Sequence, residues 1–253
     1  MAVMPDRTVL LPRFAHAAGT RGFAGRVLEN CAAGPLMAWE RPAGGPRVYI
    51  SAGIHGDEPA GPMALLKLME ADFFTPAVHW LLCPVLNPDG LAAGTRGNGD
   101  GRDLNRDYLK RRTPEVRAHA AWLESQPAPD LFLSLHEDWE TTGFYFYEIN
   151  LGLDVPPRAA AIIEAVRPWF PPQPGPDIDG HPPRADGWIY HEAKADEPRR
   201  WPEAIFLARL GCPLSFTFET PSRAPLARRI AAHMAAVKAA GDYLPAHKKT
   251  AGA

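Results

Sequence analysis

The sequence predicts an α/β fold with a mainly parallel sheet. Four short apolar runs bounded by Gly, Pro or Asp have the length of buried parallel strands, and they are residues 47–54, 80–86, 131–135 and 214–218. Helix-like stretches lie between these runs, and alternation of this kind builds a parallel sheet. Polar motifs follow the runs, and the carboxyl ends of parallel strands are where ligands bind. We therefore expect the functional site at that edge of the sheet.

Three stretches carry the signals of helices. Residues 59–71 have an apolar side, and residues 113–123 open with a cap residue followed by proline. Residues 223–244 repeat apolar side chains every three or four positions. That spacing is typical of an amphipathic helix covering a sheet.

Length and composition indicate a folded protein, which we expect to be a single domain over residues 1–253. The chain is 46% hydrophobic and 22% charged, as in a soluble globular protein, and at 253 residues it can bury most of its apolar surface. It has 28 Pro and 22 Gly, an excess that indicates rigid loops and sharp element ends. Proline is densest at residues 168–183, which we predict to be a loop near the cleft.

Charge and hydropathy exclude several partners and compartments. A formal net charge of −2 gives no global field for nucleic acid or an anionic membrane surface. The apolar run at residues 9–11 is too short for a signal peptide, and no apolar run is long enough to span a membrane. We expect a cytoplasmic, soluble protein, whose oligomeric state the sequence leaves open. The three cysteines show no CxxC spacing and are interpreted as packing residues.

The segment HGDE at residues 55–58 and the run ending at His136 point to a metal site. His55 and Glu58, three residues apart on a tight turn, could both reach one ion, and nitrogen with oxygen donors suits Zn²⁺. In isolation, Glu58 could simply favour the helix N-terminus, with His55 a loop residue. His136 is the third candidate ligand, with pairing to a neighbouring acid as its alternative. The other histidines lack comparable context and are predicted to be surface or satisfied core residues: His16, His79, His119, His181, His191, His233 and His247.

Two further motifs supply candidate catalytic and binding groups. The glycine-rich stretch 94–107 contains Arg96, which could polarise a carbonyl, and Asn105 and Arg106, which could clamp an anionic substrate terminus. A flexible surface turn is the alternative. Glu219 ends the apolar run 214–218, and a metal-bound water would give it a role as general base. A helix cap or salt bridge is its alternative role.

Taken together, the motifs resemble those of the zinc carboxypeptidase superfamily, the carboxypeptidase A-like hydrolases that include murein peptide amidases and the succinylglutamate desuccinylase and aspartoacylase group. The matching motifs occur in the family's order and are HGDE, NPDG, Arg96 with DLNR, LSLH and FTFETP. The resemblance implies a three-layer α/β/α sandwich around a mixed, largely parallel eight-stranded sheet. It also implies one Zn²⁺ per chain held by His55, Glu58 and His136.

The same resemblance assigns roles to the remaining residues. It implies that Arg96 polarises the carbonyl, that Asn105 and Arg106 bind a substrate carboxylate, and that Glu219 is the general base. The family's mobile tyrosine has Tyr190 as its nearest candidate here. The aromatic segment 143–148 departs from the digestive members, and it is interpreted either as subsite contacts or as a strand of packed aromatics.

The leading hypothesis is a zinc metallocarboxypeptidase that uses a zinc-activated water to cleave an amide bond next to a free carboxylate. Its substrate would be a small peptide. An N-acyl amino acid deacylase of the desuccinylase or aspartoacylase type, or a murein peptide amidase, would use the same centre. A catalytically silent member that binds peptide or metal is the non-enzyme alternative. NPDG and the FTFETP form favour the carboxypeptidase.

Overall fold

The computed structural model describes residues 9–243, and within them one mixed sheet of eight strands forms the centre of the molecule. Its spatial order is β1-β2-β4-β3-β5-β8-β6-β7. The strands are β1 (Ala24–Cys31), β2 (Gly34–Arg41), β3 (Arg47–Ala52), β4 (His79–Cys83), β5 (Leu131–Asp138), β6 (Tyr145–Asn150), β7 (Trp188–Tyr190) and β8 (Leu214–Pro221). All four predicted strands are present as β3, β4, β5 and β8.

Seven α-helices connect the strands in the described part of the chain. They are α1 (Leu10–Thr20), α2 (Ala60–Glu70), α3 (Pro88–Ala93), α4 (Pro114–Glu124), α5 (Pro156–Val166), α6 (Glu203–Arg209) and α7 (Leu226–Gly241). The three predicted helices correspond to α2, α4 and α7. The last begins three residues later than predicted, after Pro225, and Leu244 of the predicted range lies outside the described residues.

The predicted parallel character holds for the centre of the sheet. The pairs β3–β4, β3–β5, β5–β8 and β6–β7 are parallel, whereas β1–β2, β2–β4 and β6–β8 are antiparallel. Strands β5 and β8 pair as far as Asp138 and Pro221, so both extend three residues beyond the predicted ends. His136 and Glu219 therefore lie directly opposite each other within the last residues of the two paired strands, rather than just after the strands end.

Helices cover both faces of the sheet, which confirms the α/β/α architecture. One face packs on α1, α2, α5 and α7, and its aromatic core includes Phe146, Phe216 and Phe218. The other face packs on α4 and α6 around Tyr49 and Phe132, whose stacked rings have centroids 5.1 Å apart. On this second face the helices leave the carboxyl ends of β5 and β8 uncovered. A cleft opens at these uncovered strand ends.

The proline-rich segment 168–183 contains no helix or strand beyond two isolated bridges. One bridge joins Phe144 to Pro172, and the other closes a tight turn from Ile178 to His181. Asp179 and His181 of this segment line the cleft. Among residues 9–243 no helix is long and apolar enough to cross a membrane.

Candidate active site

A cleft of about 570 Å³ opens at the carboxyl edge of β3, β5 and β8 and continues over β6. Its floor is the sheet face that carries the alternating side chains of β5, β8 and β6. All seven residues predicted from the sequence line it: His55, Glu58, Arg96, Asn105, Arg106, His136 and Glu219. Four separate stretches of chain therefore meet in one place.

The predicted metal ligands are buried side by side. One ligand atom from each of His55, Glu58 and His136 lies within 4.8 Å of the other two, and the residues are 3%, 5% and 3% exposed. His55 Nδ1 is 2.6 Å from Glu58 Oε1, and His136 Nδ1 is 3.0 Å from Glu58 Oε2. Two imidazole nitrogens and a carboxylate that converge in this way fit a divalent transition metal such as zinc.

Local backbone geometry explains why His55 and Glu58 meet. Gly53 has φ of 62°, which turns the chain sharply at the end of β3. The Glu58 amide then bonds the His55 carbonyl at 3.3 Å, which closes a tight turn before α2 begins. His136 reaches the same point from β5, the parallel neighbour of β3.

Charge and burial act against each other in this cluster. Burial alone would raise the pKa of Glu58, but the two imidazoles beside it outweigh burial and hold the pKa well below its usual range. Burial lowers the pKa of His136. For His55 burial also acts downward, but the Glu58 charge and bonds from Asp103 and Glu58 raise the pKa to about 9. Glu58 is therefore a charged carboxylate between two nitrogen donors, as a metal ligand must be.

Asp103 supports the cluster, a role that sequence reasoning missed. Its Oδ1 lies 3.3 Å from His55 Nε2, the ring nitrogen that faces away from Glu58. Its Oδ2 accepts a hydrogen bond from Arg96 Nε at 3.1 Å. A carboxylate on the far nitrogen of a ligating histidine fixes the orientation of the ring. The signal was present in the DLNR motif, but nothing local indicated that its aspartate reaches His55, 48 residues earlier.

Arg96 lies at the rim of the ligand cluster. Its side chain is 48% exposed, and its guanidinium is 3.6 Å from Glu58 Oε1 while also pairing with Asp103. This cation is therefore held close to the candidate metal position and still faces the cleft.

Asn105 and Arg106 occupy a short 3-10 helix (Leu104–Arg106) on the wall of the cleft. Asn105 Oδ1 accepts the backbone N–H of Glu203 at 2.9 Å, which ties this wall to the start of α6. Arg106 Nη1 donates to the Asn105 carbonyl at 2.9 Å. Asn105 thus has a structural contact that the sequence did not suggest, in addition to its position on the cleft.

Glu219 faces the ligand cluster from β8. Its partner in the β5–β8 ladder is His136, and its partner in the β6–β8 ladder is Tyr145. Burial raises the pKa of Glu219 well above its ordinary value, and the nearby carboxylates of Glu58 and Asp138 raise it further. A carboxylate with a raised pKa is a stronger proton acceptor than an exposed carboxylate.

Residues 145–148 of the segment 143–148 belong to β6, and the interpretation as packed aromatics describes only part of its side chains. Phe144 and Phe146 pack in the core, but Tyr145 and Tyr147 point into the cleft. Tyr145 donates to Asp138 Oδ2 at 3.0 Å, and Tyr147 donates to Asp179. Tyr190 on β7 is not among the residues lining the cleft, and its hydroxyl faces the Asn150 carbonyl at 3.4 Å.

The remaining histidines of the described chain lie in the core, at the surface or in the cleft. His79 and His233 are buried, and their Nε2 atoms lie 2.7 Å from Glu40 Oε1 and 3.1 Å from Thr220 Oγ1. His119 is a satisfied core residue, since Tyr49 and Tyr108 hydroxyls lie 2.8 Å from its two ring nitrogens. His16 is exposed, and His247 lies outside the described residues. His181 and His191 both line the cleft, beside Asp196. Their sequence context did not predict this position.

Comparisons with known proteins find similar sequences and similar folds. Residues 44–147 match the succinylglutamate desuccinylase/aspartoacylase catalytic domain. Over 133 residues the chain is 32% identical to murein peptide amidase A of Escherichia coli K12, covering 50% of this chain and 52% of that protein. It is 35% identical over 91 residues to carboxypeptidase SOL1 of Arabidopsis thaliana, covering 28% of this chain and 18% of that protein.

The alignments therefore span about half or less of these curated relatives. The solved structures include a proposed metallopeptidase from Shewanella amazonensis SB2B that superposes along nearly its whole length. Its TM-score is 0.82 at 28% identity, covering 94% of this chain and 93% of that one.

Proposed function

Because the chain belongs to the zinc carboxypeptidase superfamily of hydrolases, we propose that it is a zinc-dependent enzyme that cleaves a peptide amide bond adjacent to a free carboxylate. The observation that carries the proposal is the meeting of His55, Glu58 and His136 with Glu219 directly across the β5–β8 ladder. Three nitrogen and oxygen ligands beside a general base are the parts that a metallohydrolase needs.

In the proposed mechanism His55, Glu58 and His136 hold the metal. When bound, a divalent metal supplies Lewis-acid polarisation of a carbonyl and lowers the pKa of a water molecule. Glu219 accepts the proton of the attacking water and delivers it to the leaving amine. Its raised pKa favours the first step, because a carboxylate with a higher pKa is a stronger base toward the attacking water.

Arginines and an amide orient the substrate in this proposal. Arg96, beside Glu58, stabilises the negative charge that develops on the carbonyl oxygen. Arg106 binds the substrate carboxylate through its planar guanidinium. Asn105 uses Oδ1 to bond the Glu203 amide, which leaves its Nδ2 group to donate to the same carboxylate.

An N-acyl amino acid deacylase is the second candidate, favoured by the match of residues 44–147 to the desuccinylase/aspartoacylase catalytic domain. Both reactions cleave an amide next to a carboxylate, so the same ligands and base would serve either substrate. Only the groups that recognise the rest of the substrate would differ.

Purified protein assayed against a substrate panel tests the proposal. The panel contains C-terminal peptides, γ-D-glutamyl cell-wall peptides and N-acyl amino acids, each with and without a chelator. We expect turnover of a peptide with a free C-terminus, loss of turnover on chelation and recovery when Zn²⁺ is restored. Turnover of N-acyl amino acids alone would favour the second candidate, and metal binding without any turnover would identify a silent member.

A matched pair of variants tests the general base. Glu219→Gln should retain its metal but lower kcat by about 10²- to 10⁴-fold, the usual contribution of a general base. Glu164→Gln makes the same change at an exposed position on α5 and should leave kcat unchanged. Full activity of Glu219→Gln would remove this residue from the mechanism.

A further inference from the structure

A second group of metal-binding side chains lines the cleft apart from the first. It consists of His181, His191 and Asp196, with one ligand atom from each within 4.8 Å of the others. Its backbone surroundings are the tight turn before β7 and the loop after β7. None of the three is a member of the first cluster.

Position in the sheet separates the two groups. The first lies at the ends of β3 and β5, and the second lies beside β6 and β7, with β8 between them. Neighbouring strands are about 4.8 Å apart, so β6 lies roughly 10 Å from β5, the strand that carries His136. The two groups also share no residue. They are therefore separate candidate sites.

The donor atoms have spacings that suit a transition metal. The Nε2 atoms of both histidines face the Asp196 carboxylate, at 3.7 Å for His181 and 3.3 Å for His191. Ligands about 2.1 Å from a tetrahedral ion lie roughly 3.4 Å from one another. Two imidazoles and one carboxylate are also a ligand set that zinc, cobalt and nickel accept.

Hydrogen bonds hold the two histidines in place. His181 exchanges backbone bonds of 2.9 and 3.0 Å with Ile178 across the tight turn, and the His191 amide donates to the Glu148 carbonyl at 2.8 Å. The Tyr147 ring packs edge-on against both imidazoles, with centroids 5.4 and 5.8 Å away. Preorganised ligands lose little conformational entropy when a metal binds.

Charge at this end of the cleft favours a cation. Asp179 and Asp196 both line it, whereas the Lys and Arg side chains that line the described cleft, Arg96 and Arg106, come from the segment 94–107. Lys194 is in the same loop as Asp196, but it is exposed and does not line the cleft. Two carboxylates beside two imidazoles attract a divalent cation.

We propose that His181, His191 and Asp196 form a second site for a divalent transition metal, in the half of the cleft that lies over β6 and β7. A cation there adds a positive centre to the cleft that Arg96 and Arg106 also line. The proposal goes beyond the hydrolytic centre and does not depend on which amide the enzyme cleaves.

Metal counting with Co²⁺ tests the site. The full chain is stripped with chelator, dialysed, and titrated with Co²⁺ by calorimetry and visible absorption. Wild-type protein should bind two Co²⁺ per chain, and the double variant H181A/H191A should bind one. The variant H55A/H136A should also bind one, and H16A, which removes an exposed histidine on α1, should bind two.

A single Co²⁺ on the wild-type protein, or two on H181A/H191A, would overturn the proposal and leave Asp196 as an ion-pair partner of the histidines. Asp196→Asn serves if the double variant does not fold, since this side chain is 68% exposed. It should weaken binding of the second Co²⁺ at least about tenfold, the lower end of the loss seen for outer-sphere partners. Unchanged affinity for both ions would count against the site.

The test also separates this proposal from the hydrolase proposal. Two bound Co²⁺ without turnover of any panel substrate would support the second site and contradict the proposed activity. Turnover of a panel substrate with only one bound Co²⁺ would support the proposed activity and contradict the second site.

Discussion

The two halves of the cleft hold their histidines in different ways. In the central half, His55 and His136 are each 3% exposed and lie on parallel neighbouring strands or just after them. In the edge half, the side chains of His181 and His191 are 23% and 12% exposed and belong to turns around the three-residue strand β7. The central group is positioned by the sheet itself, whereas the edge group is positioned by loops.

This difference indicates which half of the cleft can accept substitutions without loss of folding. A ligand at the end of a buried strand moves only if the ladder moves, so changes there should affect folding and metal binding together. A ligand on a turn can shift with little cost to the core.

The largest effect is expected for Gly56→Ala, inside the HGDE turn. A Cβ added at Gly56 would lie 1.8 Å from the backbone carbon of Gly90, so α3 would have to move. We expect a loss of about 3 kcal/mol or more in the free energy of unfolding, together with loss of the central metal. Gly152→Ala, just after β6 and outside the cleft, meets its nearest atom at 3.5 Å and should change neither property. Urea unfolding and metal analysis measure both, and a normal metal content in Gly56→Ala would contradict a rigid central half.

The next effect concerns the carboxylate behind His55. Asp103→Asn should weaken metal binding at the central site about 10- to 100-fold, because the ring loses its charged partner. The control is Asp100→Asn, an exposed change in the same loop. Competition with a chromophoric chelator measures the affinity, and equal affinities for the two variants would show that Asp103 does not orient the ring.

A third prediction concerns how completely the core behind the central half excludes protons. Burial lowers the pKa of His119 to about 3. The folded protein therefore keeps this ring neutral, while the unfolded chain protonates it near its ordinary pKa of about 6.5. Its contribution to stability is complete above pH 6.5 and is lost as the pH falls toward 3, by up to about 1.4 kcal/mol per pH unit.

Unfolding free energies at pH 7, 6 and 5 measure that slope. His119→Gln should be less stable at pH 7, because Tyr49 and Tyr108 lose a partner, but its stability should fall less steeply with acid. His16→Gln, at an exposed position, should keep the wild-type slope. Parallel slopes for wild type and His119→Gln would mean that His119 is reached by protons in the folded state.

The smallest effect is expected at the edge. Tyr147→Phe removes a hydroxyl that donates to Asp179 at the surface, and it should lower the free energy of unfolding by about 1 kcal/mol or less. Tyr145→Phe removes the bond to Asp138 nearer the centre, and it should cost about 1.5–3 kcal/mol because that site is more buried. A larger loss of unfolding free energy for Tyr147→Phe than for Tyr145→Phe, measured by urea unfolding, would contradict this comparison of the two halves.

Sequence reasoning succeeded where local pattern and global fold agree. The runs that became β3, β4, β5 and β8 are buried on both faces, so they read as continuous apolar stretches. Their ends carry the motif residues, and parallel pairing brings them to one edge. In contrast, β1 is mostly exposed and shows no apolar alternation, so it was not predicted.

The missed site residues depend on contacts between distant parts of the chain. Asp103 reaches His55 across 48 residues, and Asn105 bonds Glu203 across 98. His181 and His191 meet because a turn and a short strand fold toward each other over β6. The number of residues between two such side chains does not predict their contact, since the intervening loops can vary in length while the local sequence around each residue stays the same.

The order of strands in the sheet has a consequence for synthesis. β8 is the last strand in sequence, yet it lies between β5 and β6 and carries Glu219. A nascent chain that ends before residue 214 contains His55, Glu58 and His136 but lacks both Glu219 and the strand with which β6 pairs. Strands β6 and β7 can join the sheet only when β8 has left the ribosome. The protein therefore cannot complete its cleft during most of its own translation.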